Sequence, residues 1–509
     1  MKMPTPPIEF GTELNKVRSR LQSKARSIPD SFVKLLEQKC EKVSSDSEQL
    51  AQAGRDWWPL ALHWSLEGEV PAMPQIVASP KNTKQVADVL KACTEAEVPV
   101  TAFGGRSGVC GSSVPILGGV ALDMGLMEGL VDLDTDSMIA KFLPGTYGPD
   151  VEIALRKSGY TLGHWPQSIA ISTVGGWLAC RGAGQYSTRY GKIDDMVLGL
   201  EVVLANGQII KTGNDAPKNS AGPDLTQLFV GSEGTLGIIT QGTFRIHPVP
   251  QVERRVAFGF QSFAEGMDAC RRILRRGATP CVLRLYDEVE TKRNFDVDNS
   301  NLLIVLDEGD EIITDASMAV VEQECSSAKV MDVELVAKWL EHRNDTSALQ
   351  TLTKLGIVVD TIEIAAKWSA LEDIRKQVIS KLNSIEGNLN ASVHQSHSYT
   401  SGACLYFTFA GNAPDGCEDR GQWNTNFYKQ SWQRVMEATL ELGGTISHHH
   451  GIGLLRSPFM KSEMGEGALK AFADIKSVLD PNGILNPGKL GLTSNLGVFR
   501  DIFSDDSDG

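Results

Sequence analysis

The sequence predicts an α+β protein of at least two domains, and three observations carry that expectation. At 509 residues the chain is longer than one hydrophobic core normally supports. Residues 71–248 read as short β-type runs broken by glycine-rich loops. Residues 249–445 instead alternate amphipathic helical stretches with apolar strand-like runs and carry little glycine.

Taken in order, residues 1–70 are polar and mostly helical in pattern, with Trp57 and Trp58 near their end, and read as an extension packed on the body. "PQIVASPKNTKQVADVLKACTEAEVPVTAFGGRSG" then runs strand, helix, strand, glycine loop. Asn82 or Thr83 can cap that helix, and Val86, Val89, Leu90 and Cys93 share one face. Val98 to Phe103 is a short strand stopped by Gly104 and Gly105. "LEVVLANGQIIKTG" reads as a hairpin with Asn206-Gly207 at its tip, the pair a type I′ turn prefers. In 249–445 the clearest elements are a helix around "FAEGMDACRRILRRG", the strand "NLLIVLDE", a long helix in "AKWSALEDIRKQVISKLNSI" and strands around "GACLYFTFAG". Residues 446–509 hold a histidine-rich loop, a helix ended by Asp480-Pro481-Asn482-Gly483, and an acidic tail.

The net charge of −14 supplies no basic field for nucleic acid, which argues against that class of partner. Nine scattered cysteines without a CxxC pair suggest reduced thiols rather than a disulfide framework or zinc ribbon. The first residues have no apolar core of signal-peptide type, and no stretch approaches ~18 apolar residues. A cytoplasmic enzyme is expected.

Three loops carry the chemistry of the 71–248 block. "TAFGGRSGVCGSS" places four glycines directly after a strand, where backbone N–H groups can converge and a pyrophosphate can approach. "PQSIAISTVGGWLACRGAG" sets Ser168, Ser172 and Thr173 ahead of Gly175 and Gly176. "VGSEGTLGIIT" spaces Gly231, Gly234 and Gly237 by three. None fits the GxGxxG fingerprint, and the helix precedes the strand, which disfavours a Rossmann site. Together the loops suit a large dinucleotide held through backbone contacts.

On "STVGGW", "GSEGTLG", "GRSGVCG" and the terminal "LDPNGILNPGKL", the chain resembles the vanillyl-alcohol-oxidase, or PCMH, flavoprotein superfamily over roughly residues 60–492. The resemblance implies a PCMH-type, two-subdomain FAD-binding domain, an α+β substrate (cap) domain and a C-terminal helical segment. Carried over by position, the FAD contacts are Gly104, Gly105, Arg106, Ser107, Gly108, Ser168, Ser172, Thr173, Gly175, Gly176, Cys180, Arg181, Gly182, Ala183, Glu233, Gly234, Thr235 and Ile239. The family's first loop often reads GGGTS; here Arg106 stands in it, adding a phosphate contact or pointing to solvent. No loop histidine or cysteine is placed for a covalent link, so noncovalent FAD is expected.

"GTISHHHGIGLLR" holds three of the nine histidines in consecutive positions. Imidazole titrates near neutral pH, which suits removal of a proton alpha to a carbonyl and then one from an alcohol. The bland alternative is a solvated loop or a satisfied core histidine. A metal cluster is disfavoured, because adjacent side chains of an extended segment point to opposite faces. With "SGACLYFTFAG" and "VLRLYDE", this run is similar to the alkylglycerone-phosphate synthases, which exchange the acyl chain of acyl-dihydroxyacetone phosphate for a fatty alcohol while flavin N5 holds the substrate. That resemblance implies Tyr406 as proton-transferring group, His448, His449 and His450 as acid, base and alkoxide-forming groups, and Arg284 as substrate orienter. It also implies a small-molecule or lipid substrate, peripheral contact with a membrane to reach it, and a homodimer. The rival is an FAD-linked D-2-hydroxy-acid dehydrogenase, whose "GEHGIG" loop would align to His448–Gly453 with His449 in place of glutamate. Its "HxGDGNxH" metal motif meets "HSYTSGACLYF", which keeps His397 but lacks Asp-Gly-Asn, so no metal is expected. Against the synthase, its phosphate-binding arginine aligns with Leu349; Arg343 lies six residues upstream. A flavoprotein without turnover and an ordinary alcohol oxidase complete the alternatives.

Overall fold

The computed structural model describes residues 9–21, 27–216, 218–345 and 347–503; the acidic end of the tail and the first eight residues lie outside that range. Three sheets organise the chain. The first orders Lys42–Ser44, Ile76–Ser79, Val120–Asp123 and Val100–Phe103, the last three parallel. Helix Thr83–Ala96 makes the crossover; Asn82 caps it by accepting the Gln85 N–H at 3.0 Å, and the four predicted apolar positions are buried. The second sheet is antiparallel, in the order Ile209–Gly213, Val197–Val203, Ile238–Arg245, Ile139–Phe142, Leu130–Asp134.

The predicted hairpin forms, but not with a type I′ tip. Leu204 and Gln208 close a three-residue loop (N···O 2.9 Å), and of its residues only Gly207 has positive φ, 83°. Asn206 uses its side chain instead, accepting the Gln208 N–H at 2.9 Å. This is the alternative hairpin in which a type I turn is followed by a left-handed glycine.

The third sheet has seven antiparallel strands, ordered Lys329–Met331, Val252–Phe260, Asn301–Gly309, Val282–Tyr286, Asn388–Ser398, Gly402–Gly411 and Val358–Lys367. Strand alternation divides its residues between two faces. Leu283, Leu285, Ile362, Ile364, Val393, Leu405, Phe407 and Phe409 join helices Phe263–Arg275, Trp368–Asn383 and Arg420–Glu441 in one core. The intervening Arg284, Glu363, His394 and Tyr406 therefore emerge on the other side.

Both chain ends bind the domains together. Helix Pro59–Leu66 is buried rather than polar: Trp58, Leu60 and Trp64 enter the third sheet's core, and Trp58 Nε1 donates to Tyr428 Oη at 3.0 Å. After helix Glu466–Leu479 the chain returns to the first sheet, where Val100 pairs with Ile484 and Asn486. All nine cysteines are free. No helix among the described residues is long and apolar enough to cross a membrane.

Candidate active site

A cavity of about 470 Å³ runs from the glycine loops to the polar face of the third sheet. Its cofactor-side wall contains Gly104, Gly105, Ser107, Gly108, Ser168, Ser172, Thr173, Gly175, Gly176, Cys180, Gly182, Ala183, Gly234 and Ile239. Close approach explains the glycines: a Cβ on Gly104 would collide with Thr173 Oγ1, and one on Gly105 with the Ile171 carbonyl. Thr173 Oγ1, Ser113 Oγ, Trp57 Nε1, Gln185 Oε1 and both ring nitrogens of His164 are buried in this wall without a hydrogen-bond partner among the described residues. Such a set of unsatisfied groups is what a polar, many-contact ligand would complete.

At the other end stand Arg284, Tyr406, His449 and His450. The histidine run is a turn wrapped around one buried carboxylate, Glu363. Glu363 accepts the backbone N–H of His448, of His449 (3.4 Å) and of His450 (2.8 Å), the Ser447 hydroxyl (3.2 Å) and Arg456 Nη1 (2.8 Å). Burial alone would raise this carboxyl, but Arg456 and the three imidazoles outweigh it and hold it far below the usual range. His450 Nε2 lies 2.9 Å from Tyr406 Oη, and its Nδ1 3.7 Å from Glu363. Burial pushes His450 down to about 4 and His449 to about 3. Both are thus neutral bases at pH 7, not groups poised near neutrality as free imidazole suggests. Burial likewise drives the Tyr406 hydroxyl upward, so it is a donor.

Arg284 is held in place by donating to Tyr286 Oη (2.7 Å) and to His394 Nε2, whose Nδ1 then donates to Glu290 (2.7 Å). His394 also stacks on the Tyr406 ring, with centroids 5.0 Å apart.

The chain carries two known sequence signatures. Residues 74–213 match the signature "FAD binding domain", and 249–490 match "FAD linked oxidases, C-terminal domain". An alkyldihydroxyacetonephosphate synthase of Trypanosoma brucei brucei is 30% identical over 86% of this chain and 75% of that protein. A glycolate oxidase subunit of Bacillus subtilis (strain 168) is 28% identical over 86% and 93%. A solved alkyldihydroxyacetonephosphate synthase superposes with a TM-score of 0.77 at 25% identity, covering 95% of this chain and 90% of that one. The chain belongs to the PCMH, or vanillyl-alcohol-oxidase, family of FAD enzymes. The orphaned polar groups and the glycine approaches above fit the family's dinucleotide, which the glycine-loop wall of the cavity would hold.

Several of the residues expected to touch FAD have side chains engaged within the protein. Arg106 lines the cavity and does not point to solvent: Nη1 donates to the Gln52 carbonyl, the group lies 5.0 Å over Phe103, and Nε is buried without a partner among the described residues. Arg181 turns out to Asp194 (3.1 Å), because it caps a helix in the left-handed region. Thr235 closes its own loop on the Ser232 carbonyl (2.7 Å). Glu233 reaches the wall, yet its carboxylate accepts the N–H groups of Ile452 (2.6 Å) and Gly453 (2.9 Å) and so clamps the histidine loop. His448 lies behind His449, bonded to Tyr399 Oη at 2.9 Å, and Tyr399 continues to Ser187 (3.0 Å).

The alternation argument against a histidine cluster also fails, since 447–451 is a turn and not a strand. Nδ1 of His448 and of His449 are 2.8 Å apart, and with His397 and Cys404 they bring potential ligand atoms within 4.8 Å of one another. Sequence reasoning missed Glu363, Tyr399, His164 and His394. A glutamate inside the apolar alternation of "TIEIAA" was the available signal for Glu363; the others had none.

Proposed function

We propose that this FAD enzyme is a transferase of the alkylglycerone-phosphate synthase type, replacing the acyl chain of acyl-dihydroxyacetone phosphate with a fatty alcohol. The observation that supports it most is the Tyr406–His450–Glu363 line opening on the same cavity as His449 and Arg284. FAD supplies the electrophilic ring on which such an exchange depends. Tyr406 and His450 act as one unit: the phenol donates to Nε2, and the neutral imidazole takes a proton while Glu363 behind it stabilises the resulting charge. His449, also a neutral base at the wall, removes the alcohol proton. Arg284, fixed by Tyr286 and His394, orients the carbonyl.

A second reading, oxidation of a D-2-hydroxy acid, is favoured by Leu349 in place of the synthases' phosphate arginine and by the likeness to a glycolate oxidase subunit. One assay separates the two. Acyl-dihydroxyacetone phosphate plus a fatty alcohol yields the ether product with no net flavin reduction under the first reading. Anaerobic bleaching of the flavin by D-lactate or glycolate, without ether product, overturns it in favour of the second.

A further inference from the structure

Beside the main cavity opens a smaller one of about 350 Å³, which shares Gln167, Gln185 and Arg284 with it. Its wall carries Arg284, Arg293, Lys338 and Arg343 against a single carboxylate, Glu290. That carboxylate is fully engaged: it accepts from His394 (2.7 Å), Thr408 (2.8 Å) and Ser392 (3.1 Å), and pairs with Arg293 at 3.2 Å. Arg284, Lys338 and Arg343 have no ion-pair partner among the described residues. In a chain of net charge −14, this is a local reversal of the overall field.

Arg343 is the most telling of the four. Its guanidinium sits among three aromatic rings, 4.9 Å from Tyr186, 5.5 Å from Trp339 and 5.9 Å from Trp165. Nη1 is buried and has no acceptor among the described residues. The rings flank the guanidinium while Nη1 keeps its hydrogen-bonding capacity, which suits the planar fork to an oxyanion. Lys338 and Trp339 come from helix Glu334–His342, which Arg343 follows directly, so one element presents both cations.

We propose that this annex binds the anionic group of the substrate, a phosphate or a carboxylate, through Arg343 and Lys338, with Arg284 at the passage to the reaction chamber. The proposal rests on the reading of the main cavity as that chamber, but not on which reaction occurs there. It gives the anion a site that does not involve position 349.

The test is calorimetric titration of the FAD-loaded enzyme at low salt with dihydroxyacetone phosphate and, separately, with D-lactate. At least one probe binds the wild type, and its identity tells phosphate from carboxylate. Its affinity falls about 10- to 100-fold in Arg343→Gln and in Lys338→Met, and is restored only in part in Arg343→Lys, which returns the charge without the planar fork. In a turnover assay the same variants raise KM and leave kcat near wild type. Failure of both probes to bind, or equal affinity in wild type and variants, overturns the annex. Should Arg343→Gln not fold, the exposed Lys338 decides alone. Tight binding of dihydroxyacetone phosphate without ether product would sink the transferase and leave the annex standing.

Discussion

Glu363→Gln removes one charge and almost no volume, and it tests how the active-site turn is held. Both Glu363 and Arg456 have side chains that are 0% exposed. Arg456 lies 5.1 Å over Trp432 and also donates to Ser447 Oγ (2.7 Å) and to the Gly451 carbonyl (2.8 Å). Glutamine leaves that guanidinium buried without a counter-charge, a change that costs about 3–5 kcal/mol. Its amide NH2 also faces the backbone N–H groups that the carboxylate received. Against a typical unfolding free energy of about 5–15 kcal/mol this is a large loss. Urea unfolding of the FAD-loaded protein, followed by flavin and tryptophan fluorescence, measures it. The double variant Glu363→Gln with Arg456→Met removes both charges and recovers most of the stability, so the cycle shows a coupling of about 2 kcal/mol or more. Turnover stays depressed in the double variant, because His450 still lacks the carboxylate behind Nδ1. A single-variant loss below about 1 kcal/mol, or a double variant as unstable as the two singles summed, refutes the buried pair as the organiser of the turn.

Three further outcomes are expected. Tyr406→Phe and His449→Ala keep FAD and fold yet lower turnover about a hundredfold or more, and turnover near wild type in either removes that residue from the proton path. FAD is held without a covalent bond: burial pushes the Cys180 thiol up to about 12 and so withholds the thiolate at the cofactor-side wall, and denaturation and filtration release all the yellow colour. Stability falls with acid in a defined window. His450 has a folded pKa of about 4 against 6.5 for an unperturbed histidine, so its contribution is complete above pH 6.5 and lost as pH falls through 4; at pH 5 the loss is about 2 kcal/mol from this residue. Urea unfolding at pH 7.5 and pH 5 checks it: the other buried histidines keep a difference in place, and a His450→Asn variant makes it smaller by about 2 kcal/mol.

What the sequence disclosed and what it hid follow from how local each constraint is. The cap at Asn82, the buried face of Thr83–Ala96 and the glycines at 104 and 105 answer to neighbours within a few residues or to a steric rule that only glycine meets. Arg106, Arg181 and Thr235 sit inside the same motifs, yet their side-chain directions are decided by Gln52, Asp194 and Ser232, which the motif does not name. The cationic annex had no local pattern at all, because it forms only when helix Glu334–His342 packs beside strands that are distant in sequence. The pKa expectation failed for a related reason: free imidazole titrates near neutrality, but burial shifts all three histidines, and burial is a tertiary property.

The glycines that frame the histidines show how a local motif and a tertiary clamp can be one device. Gly451 has φ 81°, and a Cβ there would come 2.5 Å from Glu233 Oε1; Gly453 has φ 55°, and a Cβ there would collide with the Cys110 carbonyl. Both are glycine because the loop is pressed simultaneously against the first and third cofactor loops. Glu233 completes the contact by accepting two N–H groups from the segment that follows His450. On the other flank, Glu363 in the third sheet grips the N–H groups of the histidines themselves. The turn is thus suspended between two buried carboxylates, one from the third cofactor loop and one from the third sheet. Any displacement of the cofactor loops relative to the third sheet must strain it, so the positions of His449 and His450 relative to those loops are set by both carboxylates together rather than by the loop alone.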